Sequence, residues 1–426
     1  MFFIRGLVPR LNLPVPVALA MVYIFFLGPL VLMLYYELKS RRERAHTPKG
    51  CRKLGLHDNH SNLSDEAAYG TDGNKDDKKE TEARVKALII YPIKSCQGIE
   101  FNRTEFEDSG LAWDRQFCFA EYTTNSEGGG RWDAKTLRDG KFSRLALIRA
   151  EIWVPDPSSE GYDTRLRSVK SGGVLIIYFP RDTRSLSLWT QAAIRLGLAD
   201  SEEFFSIPLN PPDTDEYPLE SIRLFTIPTK GTQYTTHLPA SLSRFLECKK
   251  PLSLFRVHAS HSRVAGGNAP TEQELGFAPR MAFSDLYPLQ VQSMGSIRDM
   301  AGRTRYAIPH LSVRRFRPNI VVEGVGAYEE DAWKMVRLVP DDGGEEGVEI
   351  HVSCRTVRCK LPNVDPDTGE RHAVEPDKTL RGTRAIDEGA SGGCLGMMLV
   401  PTKPRFTIRV GDRLEVLSTG KHFYRK

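Results

Sequence analysis

The sequence lacks the spacings that would tie it to a disulfide scaffold, a zinc knuckle or a bound nucleotide. Its seven cysteines, an odd number, stand at 51, 96, 118, 248, 354, 359 and 394 without a framework spacing. In a chain of 426 residues that pattern suggests free thiols in a reducing compartment. Cys354 lies five residues before Cys359, which is not the two-residue spacing of a zinc pair. No Gly-x-Gly-x-x-Gly follows a strand-like run, so a resident dinucleotide is not indicated. The net charge is +5 and the basic residues do not interleave with aromatics in a patch, so no nucleic-acid surface is indicated. No internal repeat is present.

One long apolar run stands out. From Leu13 to Tyr36 there is no charged residue, and a hydrocarbon core needs roughly 20 apolar residues of helix. Gly28-Pro29 would kink such a span, which membrane helices tolerate, and Tyr35 and Tyr36 lie at its downstream edge as interfacial aromatics do. The alternative, a cleaved secretory signal, fits less well because Glu37–Arg42 is no small-residue cleavage site. The span predicts one N-terminal membrane anchor in residues 1–44. Lys39, Arg41, Arg42, Arg44, Lys49, Arg52 and Lys53 follow it, against Arg5 and Arg10 before it. The basic flank stays cytosolic, so the bulk of the chain is expected there.

Residues 45–84 are polar and low in hydrophobics, and read as a flexible linker. The folded part begins with Val85–Tyr91, an apolar run suited to a buried strand. Strand-like runs follow at Gln116–Tyr122, Leu145–Val154, Val174–Phe179, Ser185–Trp189, Ile222–Thr226, Ser253–Val257, Ile320–Glu323, Val348–Ser353, Leu395–Val400 and Arg413–Leu417. Thr190–Leu198, Pro239–Glu247 and Leu289–Met300 have helical spacing, and Asp377–Gly393 reads as a loop. Short strands separated by Gly, Pro and Asp clusters predict a β-rich α+β fold, barrel-like over 85–219 and with a second domain over 220–426.

Cys359 is the most informative position. It follows Arg358, whose guanidinium favours the thiolate that binds soft metals. It precedes Asp365-Pro366-Asp367-Thr368-Gly369, a tight-turn sequence. By chemistry alone it is either a metal or nucleophilic thiolate or a buried structural cysteine. Arg358-Cys359 with Val364–Gly369, together with Tyr91-Pro92-Ile93-Lys94-Ser95-Cys96 and Phe316-Arg317-Pro318-Asn319-Ile320-Val321, resembles the three signature segments of MOSC-domain proteins. Within that group the chain is similar to the mitochondrial amidoxime reducing component family. The resemblance implies an N-terminal MOSC β-barrel domain followed by a MOSC domain, over roughly residues 85–420.

It also implies a molybdenum cofactor, a pterin-bound molybdenum, with Cys359 as the catalytic residue and thiolate ligand to the metal. Lys94, Ser95, Arg115, Ser284, Asp285, Arg317, Asn319 and Arg358 match its cofactor-binding positions. Their chemistry is apt: ammonium and guanidinium suit phosphate, and an amide or carboxylate suits pterin edges. Each has an ordinary alternative, a solvated strand-end Lys94, a surface ion pair for Arg115, and a turn or helix cap for Ser284-Asp285. Pro318 predicts extended backbone, with Arg317 and Asn319 on one face. Cys96 reads as packing. Leu286 and Val357 depart from the family pattern, which has small hydroxyl residues at those places.

The implied function is reduction of N-hydroxylated compounds at the membrane, with electrons from a b5-type cytochrome and its NADH-dependent reductase. The implied address is the mitochondrial outer membrane, with endoplasmic reticulum as the other choice. The alternatives are a sulfur-carrier or cofactor-handling role without redox turnover, and a metal-free membrane adaptor.

Overall fold

The computed structural model describes residues 15–57, 59–66, 82–124, 129–182, 186–225, 227–341 and 346–425; the side chains of 15–22, 42–45 and 259 fall outside that description. Residues 13 and 14 of the apolar run, and 67–81 of the expected linker, lie outside the described residues.

The strand Arg84–Ile90 organises the molecule because both of its faces are apolar. Val85, Leu88 and Ile90 enter the main core. Ala87, Ile89 and Tyr91 enter a second core with Met294, Ile297 and Phe316. Such two-sided burial is what a continuous apolar run predicts. The strand belongs to an eight-stranded sheet in the order Ile320–Glu323, Leu289–Ser293, Cys394–Pro401, Val348–Val357, Trp333–Val339, Arg413–Thr419, Arg84–Ile90, Ile99–Phe101. A further pairing between Ile320–Glu323 and Arg84–Ile90 closes this sheet on itself.

A second, five-stranded closed barrel contains Leu219–Leu224, Ile227–Gln233, Leu252–Val257, Phe117–Thr124 and Gly130–Ala134. Its seam is a parallel pairing of Ile222 with Trp132. The boundary expected at 219/220 therefore cuts this barrel. The Pro and Asp residues before Leu219 mark a turn, but the chain turns back to pair Ile222 with Trp132, 90 residues earlier, which local signals do not carry. A four-stranded antiparallel sheet, Cys51–Lys53, Arg149–Pro155, Val174–Pro180 and Glu202–Pro208, flanks the barrels.

Three further expectations are corrected. Of the expected strand Ser185–Trp189, residue 185 lies outside the described residues and the rest is not a strand: Ser187 accepts a hydrogen bond from the Thr190 amide and starts the helix Leu188–Arg195, with Leu188 and Trp189 left exposed. Leu289–Met300 is a strand to Ser293 and then a helix, Met294–Thr304. Asp377–Gly393 contains the helix Asp377–Arg384. The linker is also only partly free chain, because Cys51–Lys53 pairs with Trp153–Pro155 and Leu63 is buried.

The apolar N-terminal run is helical within Val15–His46 and exposes Ile24, Phe25, Phe26, Leu30 and Met33 among others. Among the described residues, no helix is long and apolar enough to cross a membrane.

Candidate functional site

Two chain crossings build the site. Tyr91–Cys96 leaves the strand Arg84–Ile90 at the end where Arg317–Asn319 enters its partner, and the Ile89 amide donates to the Asn319 carbonyl at 2.9 Å. Asn319 is buried and ties three segments together. Its Oδ1 accepts from Arg115 at 3.1 Å and from the Gln290 amide at 3.3 Å, and its Nδ2 donates to the Ile89 carbonyl at 3.2 Å. Its Oδ1 and one Nδ2–H are thus engaged with the protein, and Asn319 fixes Arg115.

Arg115 is no surface pair. It is tied to buried Asp114, donates to the Arg317 carbonyl at 2.9 Å, and lies over the Tyr91 ring. Lys94 is not a solvated strand end either. It is buried, donates to the Phe283 carbonyl at 2.8 Å and pairs with Asp285. Burial lowers the Lys94 ammonium. Burial would raise the Asp285 carboxyl, but Lys94 and Arg115 hold it below its usual range. Ser284 is buried with its hydroxyl unpartnered, and its backbone carbonyl accepts from Arg263. Neither Ser284 nor Asp285 caps a helix.

The Ser95 hydroxyl accepts from the Leu137 amide at 3.1 Å. Ser95, Arg115 and Arg317 all have left-handed backbone, with φ of 71°, 50° and 54°. For residues other than glycine this costs on the order of 1–3 kcal/mol each and persists where surroundings enforce it. Arg317 corrects the expectation of extended chain before Pro318. It is the left-handed C-cap of the 3₁₀ turn Val313–Phe316. It sends its guanidinium over Tyr91, 4.1 Å from the ring centroid, and donates from Nη1 to the Cys96 carbonyl at 2.7 Å. Arg317 and Asn319 therefore do not present their side chains to one common partner. Arg317 Nη2 and the Tyr91 hydroxyl have no protein partner.

Cys359 is half-buried, whereas Cys96, Cys354 and Cys394 are buried and all seven thiols are free. It follows the strand Val348–Val357 and precedes the turn Leu361–Asn363. The expected tight turn forms: Asp365 Oδ1 accepts from the Asp367 and Thr368 amides, and the Gly369 amide closes on the Asp365 carbonyl. Arg315 secures this loop through Asp365 and the Pro362 carbonyl. Arg358 is buried and spends Nε on the Leu395 carbonyl and Nη1 on the Phe316 carbonyl, both at 2.8 Å. It positions Cys359 against Arg317's turn.

The charge balance decides what such a site accepts. Arg317, Arg358 and Arg263 pair with no carboxylate among the described residues. Burial pushes Arg317 down to about 10 and Arg358 to about 9. Unpaired buried cations are costly, so the pocket suits an anion. The open Arg317 Nη2, Tyr91 hydroxyl and Ser284 hydroxyl are free donors, and Cys359 is a half-exposed thiol directly after buried Arg358; the chemistry of these residues fits a phosphorylated, thiolate-bound metal cofactor. Among the described residues no cluster of three His, Cys, Asp or Glu forms a protein-only metal site. Tyr91, Asp114 and Arg263 were not among the residues nominated from sequence. Tyr91 and Asp114 neighbour nominated residues, while Arg263 carries no motif.

This geometry defines a two-barrel protein in which buried guanidiniums lack carboxylate partners among the described residues and one of them, Arg358, directly precedes the half-buried Cys359; Cys248 is the other half-buried thiol. Residues 82–168 match the MOSC N-terminal beta barrel domain and residues 278–415 the MOSC domain. Human mitochondrial amidoxime-reducing component 1 is 33% identical over 343 residues, 78% of this chain and 82% of that protein. The mouse protein of the same name is 28% identical over 338 residues, with the same two coverages. Molybdenum cofactor sulfurase of Botryotinia fuckeliana (strain B05.10) is 24% identical over 391 residues, 83% of this chain but 44% of that protein. The chain belongs to the MOSC-domain family of molybdenum-cofactor proteins, alongside the mitochondrial amidoxime-reducing components.

Proposed function

We propose that the chain is a molybdenum-dependent reductase of N-hydroxylated compounds. The single observation that carries the cofactor is the set of buried guanidiniums, Arg317, Arg358 and Arg263, left without carboxylate partners, the second of them directly before the half-exposed Cys359. The reduction is inferred from the printed names of the relatives. Arg317, Lys94 and Ser284 would hold the anionic parts of the cofactor, and Cys359 would give its thiolate to the metal. When bound, the group would supply two-electron reduction of an N–O bond.

The chain's own residues prepare for that chemistry. Arg358 fixes the residue before Cys359, Asp365 and Arg315 hold the loop after it, and Asn319 keeps Arg115 in place. The overall reaction consumes two electrons and two protons, breaks the N–O bond and releases water. A b5-type cytochrome, reduced by its NADH-dependent reductase, delivers the electrons one at a time. The exposed apolar helix Val15–His46 would hold the chain at a membrane, with the catalytic body cytosolic. The names of the relatives favour mitochondria, and the outer membrane is the proposed site.

The test is to purify the protein from a host that makes the cofactor, measure molybdenum per chain, and assay an aromatic amidoxime with an artificial electron donor. Near one molybdenum per chain with turnover is expected, and a chain without molybdenum would sink the proposal. Molybdenum without turnover would favour the second reading, a cofactor-handling protein, which the likeness to the sulfurase supports.

A further inference from the structure

The residues between the N-terminal helix and the first barrel strand make contacts that a spacer would not need. Leu63 is 3% exposed and packs in the cluster that holds Val313, Phe316 and Tyr91. Two residues earlier, the Ser61 hydroxyl donates to Glu100 at 2.9 Å, and the Asn62 amide donates to the same carboxylate at 2.9 Å. Glu100 also takes Arg314 at 3.2 Å. Three residues after Leu63, the Glu66 carboxylate accepts from the Val313 amide and from the Ser312 hydroxyl, the latter at 3.0 Å.

All of these contacts converge on one short turn. Val313–Phe316 is the 3₁₀ turn whose left-handed C-cap is Arg317. Its N-cap, Ser312, accepts from the Arg314 amide at 3.1 Å, which leaves the Val313 amide to Glu66. A turn of four residues with one internal cap does not hold itself, and a left-handed arginine reverts to ordinary backbone unless its neighbours forbid it.

We propose that Ser61, Asn62, Leu63 and Glu66 form a clamp that positions Arg317, so that the segment between the N-terminal helix and the barrels sets how firmly the anionic cofactor is held. This rests on the reading of Arg317 as a cofactor contact. Glu66 and Leu63 are positioning residues, and they touch the turn and not the cofactor. If the turn loosens, Arg317 leaves the Tyr91 ring and its open Nη2 no longer faces a fixed place.

The experiment uses the full-length chain, made in a cofactor-competent host, with molybdenum and pterin per chain as the readout and the melting midpoint measured alongside. Removing a group that holds a ligand residue in place typically costs about tenfold or more, so Glu66→Ala is expected to lower loading about tenfold at an unchanged midpoint. Glu66→Gln keeps an acceptor for the Val313 amide and is expected to restore most of the loading. Asp65→Asn weakens the neighbouring contact to Lys86 without touching the turn, and should leave loading intact. Full loading in Glu66→Ala overturns the clamp. So does a Glu66→Gln that falls as far as Glu66→Ala, or an Asp65→Asn that loses as much as either. Full loading in Arg317→Ala would be a different failure, that of the cofactor reading itself.

Discussion

Arg358 donates to the Phe316 carbonyl at 2.8 Å, which ties the residue before Cys359 to the residue before Arg317. The two halves of the site, one after the strand Val348–Val357 and one before Ile320–Glu323, are therefore joined here as well as through Arg315 to Asp365 and the Pro362 carbonyl. Arg358→Met would keep the bulk of the side chain and lose the joint. Cofactor loading should fall about tenfold, with a smaller fall in thermal stability, read as molybdenum per chain and melting midpoint.

Cys359→Ala should keep the fold, because the residue is only half-buried, and should abolish turnover together with the cysteine-thiolate contribution to the metal absorption spectrum. Cys354→Ala should do the opposite. Cys354 is buried, with its thiol pushed up by burial to about 12, so its truncation should cost about 1–2 kcal/mol of stability and leave the thiolate contribution unchanged. If Cys354→Ala loses that contribution and Cys359→Ala keeps it, the ligand is wrongly assigned.

Gly396 has φ of +78°, and a Cβ there would come within 2.7 Å of the Gln292 Oε1 and of the Val291 carbonyl, and 3.3 Å from Arg358 Nη2. Gly396→Ala is therefore strained in backbone and crowded on the side of Arg358. A loss of about 1–3 kcal/mol is expected with reduced cofactor loading. A denaturant melt and a molybdenum measurement check both halves, and a fully loaded, fully stable variant would show that Arg358 is not held from this side.

Much of the site was legible because it lies in short contiguous motifs. Lys94 and Ser95 stand side by side, Arg317 and Asn319 flank Pro318, and Arg358 precedes Cys359. What stayed hidden depends on pairing over long separations. Arg263 carries no motif and is recruited only because Ala282 and Ser284 turn their carbonyls to it. The left-handed Arg317 was hidden because the pre-proline preference for extended chain was outvoted by the 3₁₀ turn it ends. Leu289–Met300 misled because strand and helix abut at Ser293, so two apolar periods run together. The strands themselves were legible where an apolar run is buried on both faces, as in Arg84–Ile90.

Glu330 gives a pH prediction. Its carboxyl is fully buried, accepts from the Ser296 hydroxyl at 2.6 Å, and is raised by burial to about 7. A carboxyl with a folded value above its unfolded value binds more protons folded than unfolded between the two, so stability falls as pH rises through that interval. The loss should run from about pH 4.5 to about 7 and amount to a few kcal/mol at most, since one unit is about 1.4 kcal/mol. Glu330→Gln should flatten melting stability across that window. An unchanged slope in the variant would place the pH dependence elsewhere.

The anchor can be separated from the site. Every cofactor candidate lies at or after Lys94, and the clamp begins at Ser61, so deleting residues 1–44 removes the apolar run with Lys39, Arg41, Arg42 and Arg44 of its basic flank and touches neither. That shortened chain should be recovered without detergent, keep its molybdenum, and reduce an amidoxime with an artificial donor as fast as the full chain. Turnover through a membrane-bound cytochrome should fall, because the anchor no longer confines enzyme and donor to one surface. Seven basic residues follow the run and two precede it, and on the proposed topology the body lies on the cytosolic side. Protease added to intact organelles should therefore digest the barrels while leaving enclosed proteins untouched. Protection of the barrels until the membrane is broken would invert the orientation, and electron supply from a cytosolic-facing cytochrome would fall with it.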